Sequence, residues 1–299
     1  MSSIAFFGTP AIAAYALEQL TTAGHTVVVA VTEPDAHAGR GLKLVSSPVK
    51  ETATTLNIPV AQPATAAAIP AILERYQPDL AVVLAYGKII SRSALEIPRY
   101  GWLNIHPSLL PRYRGAAPVA HALLNGDAKT GTTIMQLDPG MDTGPILSQT
   151  AVPIDPSDTT ETLTWKLVRL GTTMLLDVIE PYISGTLVPK PQPKRGASLA
   201  PKLTKETGLI DWNLPATKID QIVRGCIPWP RAYTTWRGER LIILAGQLKN
   251  GRYLPSTVQL AGKRAVSWDD FTRGQRLNSA AALRELTEAT APGTINDVH

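Results

Sequence analysis

Three side chains in the sequence have the types and spacing that acid–base chemistry at a carbonyl group would need. Asn104 and His106 stand two residues apart in "LNIHPSLLP", and Asp142 lies in "PGMDTG". Residues two apart on a strand project from the same face, so the amide and the imidazole would lie side by side. An amide donor, a titratable imidazole and a carboxylate can stabilise an oxyanion and move protons while the substrate supplies the nucleophile.

Each of these residues taken singly also has a structural explanation, since His106 fits a hydrogen-bonded core histidine and Asp142 a turn-forming residue. The sequence does not contain the motifs that other kinds of catalytic or cofactor site require. No Ser or Cys stands in a nucleophile-elbow context, and the "GTP" at 8–10 is neither a dinucleotide fingerprint nor a Walker motif. The five histidines show no metal-ligand spacing, so we expect no metal site.

The surrounding elements predict an α/β fold that would bring the three residues to one edge of a sheet. The apolar runs "SSIAFFG", "HTVVVAVTE", "DLAVVLAYG" and "GWLNIH" alternate with helical stretches, which indicates a mostly parallel sheet covered on both faces. Asn104 and His106 close the last of these runs, where ligand crevices form in such sheets. Two further strands, "TGTTIMQLD" and "GPILSQTAVPI", flank the Asp142 turn.

The chain of 299 residues is long enough for two domains. The stretch "PKPQPKRGAS" combines three prolines with three basic residues and predicts an extended linker. We therefore expect a first domain at 1–189, a linker at 190–207, a β-rich module at 208–280 and a helical or disordered tail at 281–299. The loop at 34–47 is long for a connection, and such loops are often functional.

Charge is distributed unevenly along the chain. Residues 1–150 carry 10 basic and 10 acidic side chains, whereas residues 186–280 carry 16 and 6, a net charge of +10. This block suggests a polyanion, with nucleic acid the leading candidate, although a solvated basic face fits equally well. One cysteine excludes an internal disulfide, and no apolar run is long enough to cross a membrane. We expect a cytoplasmic protein.

Long stretches of the sequence resemble the formyltransferases that use 10-formyltetrahydrofolate. The resemblance rests on "LNIHPSLLPRYRGAAPV" and "TGTTIMQLDPGMDTGPIL". Within that family, "FFGTPAIAAYALEQL", "TEPDAHAGRGLKLVSSPVK" and "GASLAPKLTKETGLIDW" resemble the methionyl-tRNA formyltransferases. The resemblance implies a Rossmann-like domain followed by an OB-like barrel, 10-formyltetrahydrofolate as formyl donor, no metal, and initiator methionyl-tRNA as acceptor. It also leads us to expect a monomer.

The same resemblance implies roles for particular residues. Asn104, His106 and Asp142 match the family's catalytic trio, with Asn104 and protonated His106 stabilising the oxyanion and Asp142 orienting His106 and relaying the proton. The predicted folate contacts are Ser108, Leu109, Leu110 and Pro111, together with Leu84, Tyr86 and Gly87. The predicted tRNA contacts are Arg40, Lys43, Lys194, Arg195 and Lys202, with Lys190 and Lys205 extending the same basic track.

The sequence departs from the family pattern after Trp236. About forty residues remain to Arg276, which predicts a reduced or open barrel with about two strands fewer. Two alternatives to methionyl-tRNA formylation therefore stay open. One is formyl transfer to another amine, such as an amino sugar or a nucleotide precursor. The other is a non-catalytic RNA-binding relative. The presence of all three candidate residues argues against this alternative.

Overall fold

The computed structural model describes residues 2–38 and 43–288, except for the side chains of residues 37, 38, 43 and 288. The chain groups into two compact units. The first unit consists of Met1–Gly115, Thr130–Val152 and Thr164–Leu199, and the second of Ala116–Lys129, Pro153–Leu163 and Ala200–His299. The division predicted from the sequence, with boundaries at 189, 207 and 280, stays a prediction.

A seven-stranded sheet organises the first unit. It is built from β1 (Ser3–Gly8), β2 (Thr26–Val31), β5 (Val60–Ala61), β6 (Leu80–Leu84), β7 (Trp102–His106), β8 (Lys129–Gln136) and β9 (Ile146–Pro153). The strand order is β5–β2–β1–β6–β7–β8–β9. The pairs from β5 to β7 are parallel, and β8 runs antiparallel to β7. The prediction of a mostly parallel sheet is confirmed.

Both faces of this sheet are buried, as the continuous apolar runs predict. Ile4 and Phe6 of β1 belong to one hydrophobic cluster, whereas Ala5 and Phe7 belong to another. All four side chains are fully buried. Because side chains alternate across a strand, the two clusters are the cores on opposite faces of the sheet.

Helices connect the strands of this sheet along the chain. They are α1 (Ala11–Thr22), α2 (Pro48–Thr55), α3 (Ile69–Tyr76), α4 (Arg92–Leu95), α5 (Pro118–Leu124) and α6 (Thr160–Ile183). Of these, α5 belongs to the second unit. Ser47 caps α2, since its hydroxyl accepts from Lys50 N at 3.1 Å, and Pro48 opens the helix. Gly8 serves close packing at the first strand-to-helix turn, since a Cβ there would lie 2.5 Å from the Cβ of Ala13.

The predicted loop at 34–47 has secondary structure of its own. Strands β3 (Ala36–Ala38) and β4 (Lys43–Val45) pair antiparallel within it. Alternation of apolar and polar residues in the sequence does not indicate these strands, because each strand has only three residues. The segment is therefore a hairpin in its described part, with residues 39–42 outside the described chain.

The second unit contains a four-stranded antiparallel sheet. Its strands are β10 (Ala232–Trp236), β11 (Glu239–Lys249), β12 (Arg252–Leu260) and β13 (Val266–Ser267), in that order. Helices α7 (Ala216–Gly225), α8 (Trp268–Gly274) and α9 (Ser279–Glu288) complete it. Asn250 and Gly251 both have positive φ, 51° and 72°, and join β11 to β12 in a tight hairpin. The predicted small β-rich module is thereby confirmed, and its described strands form an open sheet.

Candidate active site

His106 occupies the carboxyl end of β7 and is almost fully buried, with 4% of its surface exposed. Its Nε2 lies 2.9 Å from the carbonyl oxygen of Tyr113. Because a carbonyl oxygen only accepts, Nε2 carries the hydrogen, and Nδ1 of the neutral ring is left with a lone pair. Nδ1 is thus the ring atom that can take up a proton.

The pKa of His106 is lowered from its ordinary value of 6.5, chiefly because burial penalises the charged ring. The Asp142 carboxylate and the hydrogen bond to the Tyr113 carbonyl oppose this shift. The imidazole is consequently neutral at pH 7 before any reaction. The protonated His106 that the resemblance implies belongs to the tetrahedral intermediate, after the ring has taken up a proton, and its role there stays a prediction.

Asp142 comes to His106 from the turn between β8 and β9. Its Oδ2 lies 3.7 Å from His106 Nδ1 and accepts a hydrogen bond from Gly115 N at 2.7 Å. The separation from Nδ1 is too long for a direct hydrogen bond but close enough for strong attraction to a protonated ring. Asp142 has a φ of 50°, in the left-handed region. The direction of the carboxylate therefore depends on a backbone conformation that residues other than glycine seldom adopt.

Asn104 lies two residues before His106 on the same strand and so projects from the same face. It pairs in register with Met135 of β8, as His106 pairs with Thr133. Its side chain is partly exposed and makes no hydrogen bond to any residue that the structure describes. Both amide hydrogens are consequently available to an incoming oxygen atom. The structure brings the predicted trio together at one strand end.

The predicted folate segment after β7 is pinned to the strands beside it. The Ser108 hydroxyl donates to Arg112 O at 2.7 Å, and the Thr133 hydroxyl donates to Ser108 O at 2.6 Å. Gln149 Nε2 donates to Leu110 O at 2.9 Å. Ser108, Leu110 and Pro111 are buried, whereas Leu109 is partly exposed. Side-chain hydrogen bonds from β8 and β9 therefore hold this segment in place.

The second predicted folate segment follows β6, which neighbours β7. Leu84 and Tyr86 are almost fully buried, and Gly87 is exposed with a φ of 96°. The Tyr86 hydroxyl is buried and has no partner among the described residues, and burial raises the pKa of that hydroxyl above its ordinary value of 10.0. Of these three residues Gly87 is the exposed one, and its loop leaves the same sheet edge as His106 because β6 and β7 are parallel neighbours.

Comparison with known proteins places the chain in a family. The family model described as "Formyl transferase" matches residues 2–179, and "Formyl transferase, C-terminal domain" matches residues 202–256. A methionyl-tRNA formyltransferase from Roseiflexus castenholzii is 42% identical, with 94% of this chain and 98% of that protein aligned. Another, from Chloroflexus aggregans, is 49% identical over 81% of this chain and 79% of that protein.

The chain belongs to the methionyl-tRNA formyltransferase family.

Solved structures agree at the level of the fold. A methionyl-tRNA formyltransferase from Clostridium thermocellum matches with a TM-score of 0.59 at 17% identity, covering 87% of this chain and 99% of that one. An N-formyltransferase from Helicobacter canadensis, in complex with folinic acid and dTDP-3-aminofucose, matches with a TM-score of 0.67 at 18% identity. That match covers 89% of this chain and 99% of the other.

The residues predicted to bind tRNA in this methionyl-tRNA formyltransferase family member are only partly described. Arg40 lies outside the described residues, and only the backbone of Lys43 is described, as part of β4. Lys194, Arg195 and Lys202 are exposed and form no ion pair with any described acidic side chain. Their charges are therefore open to solvent, as a phosphate-binding role would require.

Sequence reasoning missed the residues that hold the trio in place. Tyr113 supplies a carbonyl to His106, Gly115 supplies an amide to Asp142, and Gln192 bonds to the backbone of the Asp142 turn. The first two lie in the "RYRG" of "LNIHPSLLPRYRGAAPV", but their roles use backbone atoms, which leave no signal in residue type. Within the described residues, no cluster of His, Cys, Asp and Glu could hold a metal ion, and no helix is long and apolar enough to span a membrane.

Proposed function

We propose that this chain transfers the formyl group of 10-formyltetrahydrofolate to the α-amine of methionyl-tRNA, with the initiator tRNA as its acceptor. One observation carries the proposal. His106 is a buried imidazole whose Nε2 hydrogen is committed to Tyr113 O, so that Nδ1 alone can take a proton beside Asp142. This arrangement stands in a chain that shares 42% of its residues with a methionyl-tRNA formyltransferase over nearly the full length of both.

The reaction that fits this geometry is direct acyl transfer between two amines. The attacking nitrogen forms a bond to the formyl carbon, and the bond from that carbon to N10 of the folate breaks. One proton must leave the attacking nitrogen and one must reach N10. Neutral His106 accepts the first at Nδ1 and can return it to the departing nitrogen, so that no protein nucleophile and no net proton change is required.

Asn104 and Asp142 stabilise the two charges that develop during the reaction. The Asn104 amide, which has no partner among the described residues, donates to the oxygen of the tetrahedral intermediate. Asp142, 3.7 Å from Nδ1, stabilises the imidazolium once His106 has taken its proton. We assign the folate contacts to Leu109 and the exposed backbone at Gly87, over a floor formed by Leu84, Tyr86, Ser108, Leu110 and Pro111.

Transfer to another amine is the second candidate, since structural relatives include sugar N-formyltransferases. These are at most 20% identical and share only the fold. The net charge of +10 at residues 186–280 favours a polyanionic acceptor over a small sugar nucleotide. A non-catalytic role would not explain why Asn104 joins His106 and Asp142 at one strand end.

Side-by-side assays separate these possibilities. Purified protein would be given 10-formyltetrahydrofolate with initiator methionyl-tRNA, elongator methionyl-tRNA or an amino-sugar nucleotide. We expect formylation of methionyl-tRNA, with preference for the initiator form, and none of the sugar nucleotide. Turnover of the sugar nucleotide alone would favour the second candidate, and no turnover with any acceptor would contradict an enzyme.

The tRNA contacts can be tested independently of the chemistry. We expect Arg40→Ala to raise the KM for methionyl-tRNA about tenfold, as loss of one or two phosphate contacts would, while folate binding stays unchanged. Arg92→Ala is a matched control, because Arg92 is exposed and its ion pair among the described residues is with Glu96, the C-cap of α4. Loss of folate binding in Arg40→Ala would show that the 34–47 segment serves the donor instead.

A further inference from the structure

The first ten residues of the predicted linker, residues 190–199, bind back onto the loops of the active site. We refer to them as the 190–199 segment. Lys190 exchanges two backbone hydrogen bonds with Ile146, at 2.7 and 2.8 Å. Ser198 O accepts from Arg114 N at 2.9 Å, and Leu199 forms a parallel bridge with Arg114. All of these residues belong to the first compact unit, so the segment is part of the structure that carries the trio.

Gln192 is the residue of this segment that holds the Asp142 turn. Its Nε2 donates to Asp142 O and to Gly144 O, each at 2.8 Å. Its Oε1 accepts from Arg114 Nε and Nη2, at 3.2 and 2.6 Å. Because a guanidinium only donates, Arg114 fixes which end of the amide faces it, and the NH₂ group must point to the two carbonyls.

The Asp142 turn needs the constraint that the Gln192 hydrogen bonds provide. Asp142 has the left-handed φ of 50°, which costs energy for a residue with a Cβ and persists only where neighbours enforce it. Gln192 ties the carbonyls on either side of Thr143, which fixes the backbone that aims the Asp142 side chain. Asp142 Oδ2 then accepts from Gly115 N at 2.7 Å, and this leaves the carboxylate 3.7 Å from His106 Nδ1.

Ser198 performs the matching task for His106. Its hydroxyl accepts from Tyr113 N at 2.9 Å. Tyr113 also has a left-handed φ, 60°, and its carbonyl accepts the Nε2 hydrogen of His106. A single ten-residue segment therefore contacts both backbone positions that orient the two members of the acid–base pair.

We propose that Gln192 and Ser198 are positioning residues for catalysis, with Gln192 fixing the Asp142 carboxylate and Ser198 fixing the carbonyl that selects the His106 tautomer. This inference rests on the proposed function. It assigns a catalytic purpose to a stretch whose prolines and basic residues indicate only a connection between domains.

The test compares Gln192→Ala and Gln192→Glu with wild type and with Gln19→Ala, a control that removes an amide from α1. Misplacement of Asp142 should lower kcat about 10- to 100-fold and leave the KM for 10-formyltetrahydrofolate within about twofold. Gln192→Glu keeps the size and still accepts from Arg114, but it cannot donate to the two carbonyls. It should therefore be no better than Gln192→Ala.

Titration of the His106 ring by NMR gives a readout that simple loss of stability would not change. The groups acting on this ring are the surrounding apolar core, the Asp142 carboxylate and the Tyr113 carbonyl. Asp142 raises the pKa of His106, so a carboxylate released by Gln192→Ala should let that pKa fall below its wild-type value. This measurement needs no substrate, so it tests the positioning role even if wild type formylates nothing and the proposed function fails.

Ser198 offers a rescue experiment. Ser198→Ala should lower kcat, whereas Ser198→Thr, which keeps the hydroxyl, should restore most of it. The proposal is overturned if Gln192→Ala and Ser198→Ala lower only the melting temperature, with kcat and the His106 titration unchanged. It is equally overturned if Gln192→Glu behaves as wild type, because donation to the Asp142 and Gly144 carbonyls would then have no role.

Discussion

At the scale of single residues, two opposed influences set the behaviour of His106. Burial lowers its pKa, while Asp142 and the Tyr113 carbonyl raise it. The ring is neutral at rest, yet a proton placed on Nδ1 immediately meets a carboxylate. A general base that becomes a general acid within one turnover needs this combination, because it must first be free of a proton and then hold one briefly.

The lowered pKa of His106 makes both activity and stability depend on pH. Protonation of the buried ring favours the unfolded chain. The stability that the neutral ring contributes is therefore present above pH 6.5, and it is lost as the pH falls through the pKa of His106 in the folded protein. We expect the NMR titration of His106 to have its midpoint below pH 6.5, and His106→Asn to lose less stability than wild type between pH 7.5 and pH 5. NMR titration and denaturant unfolding at each pH measure the two effects, and a titration midpoint above pH 6.5 would contradict a buried base.

Asp142→Asn tests the electrostatic partner without removing the turn. The asparagine oxygen can still accept from Gly115 N, so the backbone should be retained. Loss of the charge should reduce kcat about 100-fold and shift the pKa of His106 further down. Steady-state kinetics and NMR titration report the two outcomes. An unchanged His106 titration would show that Asp142 does not act on the ring.

At the scale of elements, the turn between β8 and β9 depends on close backbone contacts. A Cβ at Gly144 would lie 1.9 Å from Gln136 O, a backbone atom that cannot move aside. We expect Gly144→Ala to lower the free energy of unfolding by about 1–3 kcal/mol and to reduce formylation by displacing Asp142.

Gly274→Ala is the matched control for Gly144→Ala, since a Cβ there meets nothing within 4 Å at the end of α8. It should change the free energy of unfolding by no more than about 1 kcal/mol, in the stabilising direction. Chemical denaturation of both variants measures the difference. Equal stability of the two would contradict the tight turn.

The sequence predicted the elements that its side-chain pattern specifies and missed those that depend on backbone bonding. Apolar runs such as "DLAVVLAYG" identified the parallel strands. The prolines and basic residues of the 190–199 segment indicate an extended linker, and its backbone bonds to Ile146 and Pro111 have no counterpart in residue type. The "NG" at 250–251 carries a hairpin signal in residue type, which the structure bears out.

At the scale of the whole molecule, the second compact unit includes residues from the middle of the chain. Helix α5 belongs to it, and Leu124 of α5 lies in the same hydrophobic cluster as Ile219 and Val223 of α7. A helix of seven residues with six buried side chains shows no preferred face, so the sequence cannot tell which core it joins.

The charge of the second half of the chain predicts strong salt dependence. Residues 186–280 carry a net charge of +10, and binding of a polyanion releases its condensed counterions. We expect affinity for methionyl-tRNA to fall at least about tenfold between about 50 and 200 mM salt, while folate binding changes little. Filter binding across a salt series measures this effect. A flat response would contradict the basic block as the tRNA-binding surface.

The central claim is that a neutral, buried His106 moves the proton during formyl transfer to methionyl-tRNA. The most direct test is the rate of formylation of initiator methionyl-tRNA by wild type and by His106→Ala, with 10-formyltetrahydrofolate as donor. We expect wild type to formylate the tRNA and His106→Ala to be slower by about 10²- to 10⁴-fold, with both proteins folded and both binding tRNA. Equal rates in the two proteins would contradict the account.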